Sequence, residues 1–266
     1  MVTSLFMSGA NHRGKVAGIA FAMATGTILV VASCGGSSNA SSSNGGATGG
    51  TSGIQLGDDH TGIFNDGPVD WAETEWHNGC AGDDGYPQEI QNIDGNFLGG
   101  VSNEVGAELF CDACVEIAAA NGKKLIVRVI TYGVVNQPGD MDLSPEAYNA
   151  LRTSDDEAAR EMTWHLVTCA DTNPIYFQFQ VGSNTGWSRF WVRNPRAAIA
   201  KVEVQSHNHS SFTALTRESD GAFVDYSGFG NGAFMLRITG VDGSTLDQSF
   251  NSYPSGQLIK GSTNLQ

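Results

Sequence analysis

Two aspartates stand two residues apart in Asp140-Met141-Asp142, just ahead of Leu143-Ser144-Pro145. On an extended chain, side chains at i and i+2 share a face, and like charges there raise one carboxyl's proton affinity. Paired carboxylates are the minimum equipment for glycoside hydrolysis. They must then flank the scissile bond, about 5–5.5 Å apart for retention or 6.5–9.5 Å for inversion. Two side chains on one strand cannot sit on opposite sides of a sugar ring. Asp140 therefore reads as a solvated loop charge. Asp142 is the stronger candidate for chemistry, its plainer alternative being a turn or helix-capping carboxylate before Pro145.

The cysteines are the second set. His12, Arg13 and Lys15 precede an apolar run over 16–31 that ends in Val31-Ala32-Ser33-Cys34. A basic start, an apolar stretch and small residues describe a secretory signal. The last four residues resemble a bacterial lipobox, so Cys34 is the expected lipidation site and 1–34 the signal peptide. Such a chain is exported and held at a cell envelope or surface by lipid, with no spanning helix. The alternatives are an uncleaved anchor helix or a secreted product. An even four cysteines remain, Cys80, Cys111, Cys114 and Cys169, with three possible pairings that spacing does not choose between. Cys111-x-x-Cys114 would serve half of a zinc site, but a second C-x-x-C is missing. Disulfides are expected in an oxidising compartment, and neither a metal nor a cofactor is expected.

The elements that position these groups are mostly strands. Gly35 to Gly53 carries no charge and no large apolar residue, so it reads as a flexible tether spanning roughly 25 Å. Residues 54–69 are a mixed, acidic lead-in, and the folded part is expected to begin near Val69. Lys124–Ile130, Pro174–Val181, Ala200–Gln205 and Phe234–Thr239 alternate or run apolar as strands do. Two short helices are expected, Pro145–Leu151 and Asp155–Met162. Ser144 suits the cap of the first, with Pro145 at its first position. A polar break at Asp171-Thr172-Asn173-Pro174 divides the chain into two small β domains of about 100 and 80 residues. These are placed at 70–172 and 173–252, with a polar tail over 253–266.

The 266 residues carry 14 basic and 28 acidic side chains, a formal charge of −14. Signal cleavage would remove Arg13 and Lys15, leaving 12 basic against 28 acidic residues, a charge of −16. That acidity offers nothing to nucleic acid or to an anionic membrane surface. With 16% charged and 40% apolar residues the chain is not disordered by composition.

Gly79-Cys80, Phe110-Cys111-Asp112-Ala113-Cys114, Val127-Arg128-Val129, Asp142-Leu143-Ser144-Pro145 and Trp164-His165-Leu166-Val167-Thr168-Cys169 follow one another in that order. Tyr176-Phe177-Gln178-Phe179, Gly182-Ser183-Asn184, Trp187, Val192-Arg193-Asn194 and Leu236-Arg237-Ile238-Thr239 continue the series. In order and spacing, residues 70–250 resemble the microbial expansins. The resemblance implies a mainly β chain, a six-stranded double-psi β-barrel followed by an immunoglobulin-like β-sandwich that binds cellulose. It implies the pairs Cys80–Cys111 and Cys114–Cys169. It makes Asp142 the counterpart of the family's essential aspartate, a hydrogen-bonding or proton-donating group towards a glucan. Thr74 resembles the threonine of the expansin groove, and Trp76 either lines that groove or belongs to the core.

Departures from the pattern bear on activity. Where expansins carry a second aspartate followed by an aromatic, this chain has Thr131 and Gly133, with Tyr132 between them as a substitute groove aromatic. A hydroxyl cannot hold a charge. Of the three aromatics that stack on glucose rings in the family, only Trp187 is matched, while Gly186 and Asp220 stand where the others belong. Tyr226, Phe229 or Trp191 would have to rebuild that platform, Trp191 reading rather as core, and weakened glycan binding is expected. Three functions follow: a non-hydrolytic wall-loosening protein on cellulose or a related neutral β-glucan, a glycoside hydrolase or lytic enzyme on the same barrel, or a carbohydrate-binding module with an inactive barrel. The expected partner is a polysaccharide, engaged by a monomer.

Overall fold

The computed structural model describes residues 54–68, 71–91, 96–102, 106–133 and 137–266. The signal segment, Cys34 and the tether lie outside them.

Six strands close into a barrel: β1 (His60–Asp66), β2 (Leu98–Val101), β3 (Cys114–Ala119), β4 (Lys124–Tyr132), β5 (Met141–Leu143) and β6 (Glu161–Val167). Their order around the barrel is β1-β5-β2-β4-β3-β6. Two pairs, β1 with β5 and β2 with β4, are parallel and the other four antiparallel, so the chain crosses the barrel rather than meandering around it. Alternation along the strands fills the interior with Phe64, Val115, Ile117, Val127, Val129, Leu143, Met162 and Trp164. Helix α2 (Pro145–Leu151) buries Ala147, Tyr148 and Leu151 in the barrel core, and helix α1 (Trp71–Glu75) buries Trp71 in a neighbouring cluster. Ser144 caps α2, its side chain accepting from Ala147 N, and Pro145 starts the helix as its fixed φ favours.

Two sheets make up the second half. One has four strands, β9 (Ile199–Gln205), β10 (Thr213–Ala214), β13 (Phe234–Gly240) and β14 (Thr245–Phe250), in the order β10-β9-β13-β14. The other has five, β7 (Tyr176–Phe179), β8 (Ser188–Arg193), β11 (Thr216–Arg217), β12 (Phe223–Asp225) and β15 (Leu258–Lys260), in the order β11-β12-β8-β7-β15. Phe177, Phe179, Phe190 and Val192 from the five-stranded sheet pack against Val202, Val204, Leu236 and Ile238 from the four-stranded one. This is a β-sandwich.

Both ends of the folded region differ from expectation. Residues 54–66 belong to the barrel rather than to a lead-in. Leu56 N donates to Leu166 O at 2.8 Å, Thr168 N to Ile54 O at 3.2 Å, and β1 supplies a barrel wall. Residues 253–266 are no free tail either, since β15 pairs with β7 and Leu265 is buried. The helix expected over Asp155–Met162 shrinks to a 3-10 turn at Glu157–Ala159. Met162, Trp164 and Leu166 are needed with period two on the inner face of β6, and that burial overrides the local propensity. Val181 lies beyond the end of β7 and is exposed, not on its buried face.

Candidate functional site

β1 and β5 run parallel with Asn65 opposite Asp142, and β2 places Gly100 on the other side of Asp142. A glycine neighbour and a short strand leave the Asp142 carboxyl half-buried. Burial pushes its pKa up to about 6, a side-chain hydrogen bond from Asn65 opposes that rise, and the charges of Glu75 and Asp140 add to it. Desolvation is thus the main cause, and the like charge two residues away is the least.

Asp140 is not a solvated loop charge. It is buried, and its Oδ1 accepts from Ile63 N at 2.9 Å, which ties the approach of β5 to β1. Glu75, at the end of α1, is also buried. Neither Glu75 nor Asn65 carries a motif in the sequence. Asn65 meets Asp142 because β1 pairs with β5, and the charge of Glu75 acts on it from α1.

The other groove candidates scatter. Thr74 is exposed on α1, and it is its neighbour Glu75 that faces Asp142. Trp76 is a core residue, packed edge-to-face on Tyr86 at 5.1 Å. Thr131 is fully buried rather than groove-lining. Gly79, at φ +52°, lies so close that a Cβ there would come within 2.5 Å of the Thr131 hydroxyl. Among the described residues that hydroxyl has no hydrogen-bond partner. Tyr132 is half-buried between two core clusters, and Gly133 takes φ +85°, which suits glycine. The sulfurs of Cys80 and Cys111 are joined, as are those of Cys114 and Cys169. Among the described residues no cluster of His, Cys, Asp or Glu is arranged to hold a metal.

On the sandwich, the turn Asn184–Trp187 leaves Trp187 half-buried. Tyr226 is 64% exposed, and its hydroxyl donates to Glu218 Oε1 at 2.6 Å. The turn bearing Tyr226 packs on Thr185 and Gly186, where Gly228 at φ +71° has no room for a Cβ. Two aromatics are thereby brought to adjoining turns. Phe229 cannot join them, because it is buried in the sandwich core. Trp191 is buried too, its ring flanked by the guanidinium groups of Arg189 and Arg193 at 4.9 and 5.2 Å. Asp220, at a position where the family's pattern calls for an aromatic, holds Arg189 at 2.6 Å.

The barrel and sandwich share a polar interface. Arg193 is fully buried. It donates to Gln178 Oε1, Cys80 O and Asp112 Oδ2 at 2.8 Å each and to Ala81 O at 3.0 Å, with its guanidinium 4.0 Å from the Tyr86 ring centre. Each of the three guanidinium nitrogens thus meets the barrel or its own sheet. The barrel face carrying Cys80 is thereby fixed to the sandwich sheet carrying Gln178 and Arg193.

No family model matches the chain. It is 25% identical over 138 residues to expansin-like protein 1 of Dictyostelium discoideum, covering 50% of this chain and 48% of that protein. It is 22% identical to expansin-like protein 6 of the same organism, over 58% of this chain and 57% of that protein. The chain therefore spans about half the length of the curated relatives it matches. Among solved structures it is similar to an apo expansin from Clavibacter michiganensis, with a TM-score of 0.63 and 19% identity, covering 78% of this chain and 98% of the other. A mutant of that expansin, solved in complex with cellohexaose, matches with a TM-score of 0.62 and 17% identity over 78% of this chain and 98% of that one. This chain is expansin-like in sequence and has the fold of an expansin.

Proposed function

We propose that this protein is an exported, expansin-like wall-loosening protein that binds a neutral β-glucan and disrupts its non-covalent contacts without hydrolysis. The observation that carries this reading is the setting of Asp142, half-buried, with a pKa near 6, paired across β1 with an amide. A carboxyl titrating there exchanges its proton near neutral pH and can donate to, or accept from, sugar hydroxyls. Hydrolysis needs a second carboxylate that presents itself to water or to the anomeric carbon. The two that act on Asp142 are Glu75 and Asp140. Both are buried, and Asp140 is committed to Ile63 N.

Trp187 and Tyr226 supply flat apolar faces of the kind that stack on pyranose rings. The solved relative in complex with cellohexaose supports a cello-oligosaccharide as the ligand class. Two disulfides fit an oxidising compartment, and the lipobox at Cys34 would keep the product at the cell surface. The acidic balance of the chain favours a neutral polymer over pectin or teichoic acid. Sedimentation with cellulose, pectin and peptidoglycan across a salt series tests this choice. Retention on cellulose, insensitive to salt, is expected. Preferential retention on an anionic polymer at low salt would overturn it.

A further inference from the structure

Arg160 sits between the 3-10 turn Glu157–Ala159 and β6. Its carbonyl accepts from Phe64 N at 3.1 Å. Its Nη1 donates to Phe64 O at 3.4 Å and to Asn65 Oδ1 at 2.8 Å. Backbone and side chain thus grip β1 at the residue opposite Asp142. Among the described residues the buried guanidinium Nε has no hydrogen-bond partner, so the contacts to β1 are what orient the group.

The chemistry of an amide gives this grip a consequence. Asn65 has one accepting end and one donating end, a guanidinium only donates, and an ionised carboxylate only accepts. With Oδ1 taken by Arg160, Nδ2 is the end left for Asp142. We propose that Arg160 is the positioning residue of the Asp142 site, acting through Asn65 to hold the amide in the orientation that favours the ionised carboxyl. Without Arg160 the amide is free to turn over and accept from the protonated acid, which then keeps its proton. The charged groups facing Asp142 are Glu75 from α1 and Asp140 from its own segment, both opposing ionisation. The Arg160–Asn65 pair, from the residue before β6 and from β1, works against them. That the chain uses this proton on a glucan rests on the function proposed above; the positioning itself does not.

The test is side-chain carboxyl NMR of Asp142 in the full chain, titrated without glycan. Arg160→Met is expected to move the Asp142 midpoint up from about 6 by about one pH unit, the scale of one hydrogen bond to a charged group. Asn65→Leu should move it similarly, and Arg160→Lys should restore most of the wild-type value. In the Asn65→Leu background, Arg160→Met should add little, because both act through one amide. An equal additional displacement there would mean that Arg160 acts by direct charge, and no displacement in the wild-type background would mean that it does not act; either overturns the proposal. Arg160→Leu, which likewise carries no donor, carries the same cycle if Arg160→Met does not fold. The pH profile of cellulose loosening separates the two levels. If NMR midpoints move and that profile does not, the role given to Asp142 fails while the positioning stands.

Discussion

Arg193 Nη1, on the sandwich, lies 2.8 Å from Asp112 Oδ2, on the barrel, with both side chains shut off from water. Removing one partner of such a pair leaves a charge without its counterion in a poorly polarisable interior. Arg193→Met is therefore expected to cost about 3–5 kcal/mol. Urea denaturation checks this, and the loss should appear as a barrel and a sandwich that unfold in separate steps. A single transition at the wild-type midpoint would show that the pair does not couple the two halves.

The pH dependence of stability follows from Asp142. Its folded pKa of about 6 stands above the ordinary 3.8, so between those values the folded state binds more protons than the unfolded one. Stability from this group is therefore greatest at low pH and falls as pH rises from about 4 to about 6. Asp142→Asn removes that penalty and should be more stable than wild type at pH 7, by about 1 kcal/mol once solvent screening of the half-exposed carboxyl is allowed for. At pH 3.5 the two should melt together. Thermal melts at both values decide it, and a destabilised variant at pH 7 would assign Asp142 to structure instead.

Trp187 and Tyr226 differ from Phe229 in kind. Truncating either of the first two to Ala should weaken retention on crystalline cellulose by roughly 2- to 10-fold, the scale of one ring-stacking contact, and leave the melting temperature near that of wild type. Phe229→Ala should instead lose about 3–5 kcal/mol of stability by opening a cavity in the sandwich core. Equal pulldown by wild type and the Trp187→Ala, Tyr226→Ala double variant would place the glycan face elsewhere.

The sequence was legible where one local rule decided the outcome. Ser144 and Pro145 marked the start of α2, and alternation marked β4, β7, β9 and β13. β1 was hidden because its few apolar side chains, Ile63 and Phe64 among them, gain their meaning from strands some 80 to 100 residues away. β15 was hidden for a like reason: a three-residue edge strand has no period of its own. Within the site, Asp142 carried a motif. Asn65, Glu75 and Arg160 acquire chemistry only through the register of β1 on β5 and the packing of α1. Thr131 and Trp76 misled, since residue type alone does not separate a groove wall from a core wall.

On the proposed function, the barrel loosens glucan without cutting it, through Asp142. Reducing ends released from amorphous cellulose, measured beside the mechanical extension of the same cellulose network, test it most directly. Extension by the wild-type protein is expected, with its loss in Asp142→Asn and no reducing ends above buffer from either. Sustained release of reducing ends by the wild type that Asp142→Asn abolishes would contradict it and make the protein a glycoside hydrolase.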